Sequence, residues 1–161
     1  MPHWVKQALI NIAHDLGIMT DLSTTQQQWA QLAQTLNIKA IQCAERDTQV
    51  SSHSKQRNEF VNTWSVDGFA GEGCQRSELG WGTHEQYFPI DGNHHDYGCD
   101  PAIYLKRSGI TTRVCGWTPL EDSYHGFLIT HNESISIADY LTVKENGAVR
   151  YRPTVYYAYH P

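Results

Sequence analysis

The spacing of apolar residues changes from a helical to a strand-like repeat along this chain, and that change limits the folds open to it. Within residues 4–16 apolar side chains recur every three or four positions, which predicts an amphipathic helix that Gly17 ends. A second helix is predicted over 21–36, with Ser23 and Gln26 at the spacing of a capping box. From residue 62 onward, glycines separate β-branched and aromatic runs. Helices followed by a mostly antiparallel sheet indicate an α+β domain.

Strands are predicted where short apolar runs lie between turn residues. They cover 39–44, 102–106, 111–117, 126–130 and 135–143, and a last strand carries Tyr156, Tyr157 and Tyr159. Asn146 followed by Gly147 is a hairpin signal that joins 140–144 to 149–152. Residues 51–62 are expected to form a loop or a short helix. The last strand is expected to present an exposed edge, which favours association between chains.

The domain organisation predicted from length and from the two ends is a single domain over 1–161. A length of 161 residues suits one domain, and no internal repeat divides it. The chain begins almost at once with a helix and stops on an aromatic strand without a polar tail. We therefore expect a domain that belongs to a longer protein and is truncated at both ends.

Composition excludes several classes of function. The chain has 12 basic and 17 acidic residues and a net charge of −5, without a basic stripe, so no nucleic-acid partner is expected. No stretch approaches the length of a membrane span, and polar residues interrupt the first helix, so neither a membrane partner nor a signal peptide is expected. The four cysteines form no C-x-x-C pair, which favours free thiols in a reducing cytoplasm over zinc ligands.

A glycine-rich segment at residues 64–75 contains the first candidate site residues, Trp64 and Glu72. A carboxylate supplies charge and hydrogen bonds to an alkylammonium group, and an indole face adds about 1–2 kcal/mol of cation–π attraction when desolvated. Glycines also allow the backbone to approach a ligand closely. The alternative is that Trp64 packs in the core and Glu72 lies on a solvated loop.

Two further candidates follow apolar strands, where functional side chains are common. His131 comes directly after the strand predicted at 126–130, and histidine can move a proton near neutral pH. Glu45 follows the strand predicted at 39–44. The alternatives are a surface histidine and weak surface pairing among the charges of residues 45–49.

Other motifs are missing or incomplete. The adjacent residues His94, His95 and Asp96 could bind a metal, but further ligands are not evident, so no metal is predicted. The sequence contains no P-loop, no G-x-S-x-G elbow and no G-x-G-x-x-G motif after a strand. The chain alone therefore carries no signature of nucleotide binding or of serine hydrolase chemistry.

Several sequence blocks, taken together and in order, resemble bacterial homospermidine synthases of the saccharopine-dehydrogenase-like family. These blocks are residues 5–9, 44–49, 64–69, 72–75, 78–85, 126–140 and 157–161. The resemblance implies a central domain for substrate binding and dimerisation, with the Rossmann domain that binds NAD lying outside this chain. It implies a cytoplasmic homodimer that uses NAD to convert two putrescines, or putrescine and spermidine, into homospermidine through imine and Schiff-base intermediates, releasing ammonia when both substrates are putrescine.

The same resemblance assigns roles to the candidate residues. Trp64 matches an active-site tryptophan, Glu72 and Glu45 match carboxylates that bind substrate amines, and His131 matches a histidine that lines the same site. Trp64, Glu72 and His131 are then the expected catalytic residues, and the isolated chain is expected to be inactive without its dinucleotide domain. Two alternatives stay open. One is a polyamine-binding module without catalysis, and the other is an enzyme with paired carboxylates drawn from Glu72, Glu78 and Glu85.

Overall fold

The computed structural model describes residues 2–18, 25–45, 49–62, 65–119 and 122–159. Four helices and nine strands lie within these ranges. The helices are α1 (His3–Asp15), α2 (Gln26–Thr35), α3 (Val66–Cys74) and α4 (Asn132–Tyr140). The strands are β1 (Ala40–Glu45), β2 (Arg76–Gly80), β3 (Gly92–His94), β4 (Ala102–Ser108), β5 (Arg113–Thr118), β6 (Asp122–Ile129), β7 (Val143–Glu145), β8 (Ala148–Tyr151) and β9 (Thr154–Tyr159).

Strand β9 is the centre of a seven-stranded sheet. It pairs in parallel with β1 along its whole length, and on its other side it pairs antiparallel with β2 near its start and with β6 at its end. Strands β4 and β3 extend the sheet from β2, and β5 extends it from β6. The expected α+β class with a mostly antiparallel sheet is confirmed. The prediction that the last strand presents an exposed edge is wrong, because β9 has hydrogen-bonded neighbours on both sides. The predicted association between chains rested on that edge.

The first two helices pack on one face of this sheet. Gly17, with a φ of 67°, follows the end of α1 as predicted. Helix α2 begins at Gln26, and its capping box is formed by Thr25 and Gln28 rather than by Ser23 and Gln26. The sequence offers this spacing in three overlapping registers, and residues 21–24 lie outside the described part of the chain. The core between helices and sheet contains Leu9, Ala13, Trp29, Leu32, Ala33, Leu36, Ile137, Ala138, Leu141 and Val155.

The segment 135–143 is mostly helix α4, and the strand predicted there is wrong. Serine and isoleucine alternate over four residues, which imitates a strand, but the buried residues Ile137, Ala138 and Leu141 follow helical spacing. The close packing of α4 on β2 depends on Gly80. A Cβ atom at Gly80 would lie 2.3 Å from the Ala138 Cβ and 2.7 Å from the Ser134 carbonyl oxygen.

Other local predictions have mixed outcomes. The glycine-rich segment from residue 66 onward forms helix α3, whose first turn is capped by the Ser65 side chain. The hairpin is confirmed, with φ of 51° at Asn146 and 79° at Gly147, as its turn type requires. Its first strand is shorter than predicted because α4 ends only at Tyr140. Residues 51–62 contain neither helix nor strand and form the expected loop.

The opposite face of the sheet holds a second cluster of apolar side chains, Leu79, Ile103, Leu105 and Leu128, with Tyr156 packed against it. Over this face the β5–β6 hairpin reaches across to β1. The Gln42 side chain donates to the Tyr124 hydroxyl and accepts from the Trp117 backbone N–H. No helix in the described ranges is both long and apolar enough to cross a membrane.

Candidate functional site

An aromatic floor lies on the helix-bearing face of the sheet, where β6 and β9 meet. Tyr157 pairs with Ile129 and Tyr159 with Phe127, so these four side chains share one face of neighbouring strands. Phe69 of α3 covers this floor, with its ring centroid 4.4 Å from that of Tyr159. Helix α3 is thus held over the end of β9 through Phe69.

His131 stands beside this floor, at the N-terminal end of α4. Its ring stacks on Tyr157, with centroids 4.5 Å apart and planes inclined by 16°. Its Nδ1 atom is hydrogen-bonded to the Glu133 carboxylate. With Nδ1 donating to a carboxylate, Nε2 of the neutral ring is a proton acceptor. The arrangement is that of a histidine held in one orientation by a stacking ring and one carboxylate.

Glu133 was not singled out from the sequence, although it belongs to the site. It lies in the first turn of α4, where a negative charge is favourable, and two residues after a candidate histidine. Its charge also reaches the Cys43 thiol of β1. Burial, and then the nearby Glu133 carboxylate, raise the pKa of Cys43 to about 11. Cys43 of β1 pairs with Tyr157 of β9, so β1 borders the candidate site on the side of Tyr157.

Glu72 lies three residues after Phe69 on α3, and therefore on the same side of the helix. It is half-buried, whereas Asp67 in the first turn of this helix is exposed. The solvated loop considered for Glu72 is wrong, because the residue belongs to a helix packed on the sheet. Helices α3 and α4 thus both pack on the face of the sheet that carries the aromatic floor.

For two of the predicted site residues, Glu45 and Trp64, the side chain lies outside the described part of the structure. The backbone of Glu45 ends β1 opposite Tyr159, which is the residue that Phe69 contacts. The placement of its side chain, and the whole of Trp64, lie outside the described part of the structure. The next residue, Ser65, caps α3. The assignment of Trp64 stays a prediction from the sequence.

The carboxylates of the paired-carboxylate alternative have separate partners. Glu78 bonds His95 and accepts a hydrogen bond from Thr130. Glu85 accepts a 2.6 Å hydrogen bond from Thr154, whose hydroxyl oxygen also accepts from the Gly82 N–H. The second network fastens residues 82–85 to the start of β9. Such contacts are those of a structural network.

The described ranges contain neither a cluster of three metal-binding side chains nor a Rossmann-type unit. Within the described ranges, no three side chains of His, Cys, Asp or Glu converge on one point. The parallel pair β1 and β9 is not joined by a βαβ unit with a glycine-rich turn, which is the element that holds NAD in Rossmann folds. The described sheet therefore lacks the Rossmann-type unit.

Comparison with known proteins agrees with this architecture. The model of the saccharopine dehydrogenase C-terminal domain family matches residues 7–161. The chain belongs to this family. It is also similar to two homospermidine synthases along its whole length. It is 55% identical to the enzyme from Blastochloris viridis over 163 residues and 50% identical to that from Mesorhizobium japonicum over 167 residues.

A solved structure gives the same result in three dimensions. The crystal structure of a homospermidine synthase from Legionella pneumophila, in complex with NAD, covers 99% of this chain with a TM-score of 0.93 and 48% identity. The chain spans about a third of its relatives, 34% of the two synthases and 35% of the crystallised chain. The resemblance found in the sequence blocks is confirmed, and it concerns one part of those proteins.

Proposed function

We propose that this chain is the amine-binding domain of a homospermidine synthase. That enzyme makes homospermidine either from two putrescines, with release of ammonia, or from putrescine and spermidine. The observation that carries the proposal is the stacking of His131 on the aromatic floor, which Phe69 of the Glu72-bearing helix also contacts, in a domain 50–55% identical to homospermidine synthases. NAD would be bound by a part of the protein outside this chain, and it supplies the hydride-transfer chemistry.

The residues of the site suit a cationic amine. A carboxylate such as Glu72 binds an ammonium group by charge-assisted hydrogen bonds, and aromatic faces line the path of its methylene groups. His131, held at Nδ1 by Glu133, presents Nε2 as an acceptor for the proton that an amine must lose before it attacks an imine. In this proposal Glu45 and Trp64 complete the amine site.

Binding without catalysis is the second candidate function. It is favoured by one observation, which is that the described sheet contains no Rossmann-type βαβ unit. The two candidates differ in whether homospermidine is formed when the domain is joined to its NAD-binding partner region.

We propose that the complete protein acts as a homodimer in the cytoplasm, with no nucleic-acid or membrane partner.

Binding is tested first on the chain itself. We expect putrescine to shift the NMR signals of His131 and of residues in α3, and Glu72→Gln to weaken this binding about tenfold, the loss of one charge-assisted contact. Asp67→Asn removes the same charge from the exposed side of the same helix and is the matched control. Equal effects of the two variants would contradict the assignment of Glu72. Calorimetric titration with NAD should give negligible binding to the chain alone.

Catalysis is tested by placing this domain in a complete homospermidine synthase. His131→Asn should lower turnover far more than putrescine binding. At Trp64, activity should follow the order Trp, Phe, Ala, with a loss of roughly 30-fold for the removal of a desolvated cation–π contact. Thermal stability should change much less than turnover. If Trp64→Ala collapses the melting temperature while the folded fraction turns over normally, Trp64 is a packing residue.

A further inference from the structure

A cysteine and a histidine form a pair on the β5–β6 hairpin, where His125 lies two residues before Phe127 of the aromatic floor and on the same face of β6. Cys115 of β5 lies directly opposite His125 of β6, and the Sγ–Nε2 distance is 3.4 Å. Both residues are exposed. Side chains at directly opposed positions of an antiparallel pair point to the same face and stay in contact. Neither the fold nor the proposed amine chemistry requires a thiol next to an imidazole here.

The backbone around this pair is held on both sides. The Tyr156 hydroxyl donates to the carbonyl oxygen of Cys115, and the Trp117 N–H donates to the Gln42 side chain. Gly116 packs beneath the pair, where an added Cβ would meet the Tyr124 ring at 2.7 Å. The hairpin is thus anchored through the face of Gly116 and Tyr124, and the thiol and the imidazole are presented on the other face, which also carries Phe127.

The other three cysteines differ from Cys115 in their surroundings. Burial raises the pKa of Cys43 to about 11 and also raises the pKa of Cys99, which lies beside Asp139. Cys74 is exposed at the end of α3. Among the cysteines in the described ranges, Cys115 is the one with an imidazole nitrogen in hydrogen-bonding contact. A thiol next to a base and open to solvent is the environment in which cysteines react.

We propose that Cys115 and His125 form a thiol–disulfide exchange site for low-molecular-weight disulfides. The Cys115 thiol proton moves to His125 Nε2, and Sγ attacks one sulfur of the disulfide. The Sγ–S bond forms as the disulfide's own S–S bond breaks, and the departing thiolate takes the proton from the imidazole. The products are a mixed disulfide on Cys115 and one free thiol, and a second thiol reverses the reaction.

The test measures site-specific thiolation of the whole chain by oxidised glutathione, with peptide mapping by mass spectrometry. Cys115 should react first, and about tenfold faster than the exposed Cys74. His125→Asn should bring the Cys115 rate down to that of Cys74. His53→Asn, which removes an exposed histidine from the loop at 51–62, is the matched control and should leave the rate unchanged.

Two results would overturn the proposal. One is equal rates at Cys115 and Cys74 in the unaltered chain, and the other is a Cys115 rate that His125→Asn leaves unchanged. Thermal melts of both histidine variants show whether the hairpin remains folded, and Cys115→Ser identifies the modified peptide. The outcome is independent of the amine site, so failure here leaves the proposed function untouched.

Discussion

Replacing Gly80 by alanine tests whether close packing of α4 on β2 positions the candidate site. The added Cβ would lie 2.3 Å from the Ala138 Cβ and 2.7 Å from the Ser134 carbonyl oxygen, distances at which something must move. Neither atom is the flexible end of a long side chain. The helix itself has to shift, and it carries His131 at its N-terminal end and Glu133 in its first turn.

The expected cost follows from overpacking of a well-filled core. One extra methyl group of this kind destabilises a protein by about 1–3 kcal/mol. For a domain of this length each kcal/mol lowers the melting temperature by about 2–4 °C, so a decrease of roughly 2–12 °C is expected. In NMR spectra the signals of His131 and Tyr157 should shift, because their stacking depends on where α4 begins.

Gly71→Ala is the matched control, because it adds the same methyl group in open space. No atom lies within 4 Å of a Cβ built at Gly71, and the residue is exposed in the interior of α3. Alanine should stabilise that helix by about 0.5–1 kcal/mol and raise the melting temperature by about 1–4 °C. Opposite signs for the two variants are the prediction. If Gly80→Ala is neutral or stabilising in thermal melts, the tight contact between α4 and β2 does not exist.

Three further perturbations address the core, the β9 network and pH. Ile137→Ala empties a fully buried position of the helix–sheet core and should cost about 2–5 kcal/mol in urea unfolding, whereas a loss under 1 kcal/mol would contradict that burial. Thr154→Val should destabilise by about 1–3 kcal/mol, because it removes the hydroxyl that accepts from the Gly82 N–H and donates to the Glu85 carboxylate. Thr118→Val, at a half-buried threonine on β5, serves for comparison. The Cys43 pKa is raised from 9.0 to about 11, so the folded chain keeps a proton that the unfolded chain loses. Stability should therefore fall as the pH rises from 9 to 11, and Cys43→Ala should remove this part of the slope in denaturation curves.

Local signals in the sequence were sufficient for elements that are stabilised locally. Helix α1 has a clear apolar face and a glycine with positive φ at its end, and the β7–β8 hairpin has the two residues that its turn needs. Helix α4 was missed because Ile135 and Ile137 imitate a strand over a short window. The competing evidence is burial against β2 and the helical core, which arises only when distant segments meet.

For the same reason, only some residues of the candidate site could be predicted from the sequence. His131 could be found because it follows an apolar strand, but its partners Tyr157 and Glu133 are identified by stacking and by a hydrogen bond. Tyr157 is 26 residues away in sequence and reaches His131 only through the pairing of β9 with β6. A sequence pattern could name the aromatic strand, but it placed that strand at an edge.

The central position of β9 explains why this site cannot be a local motif. Its alternate residues serve two roles on one face, because Val155 packs in the core under the helices while Tyr157 and Tyr159 form the floor. The parallel partner of β9 is β1, which is distant from it in sequence, and this pairing aligns the end of β1 with Tyr159. The end of β1, helix α3 and the start of α4 therefore reach this face only after segments distant in sequence have joined the sheet. An amine that contacts all three elements binds the folded domain and cannot bind the unfolded chain. Its binding therefore stabilises the folded domain, so ligand affinity is coupled to the folding of the whole domain.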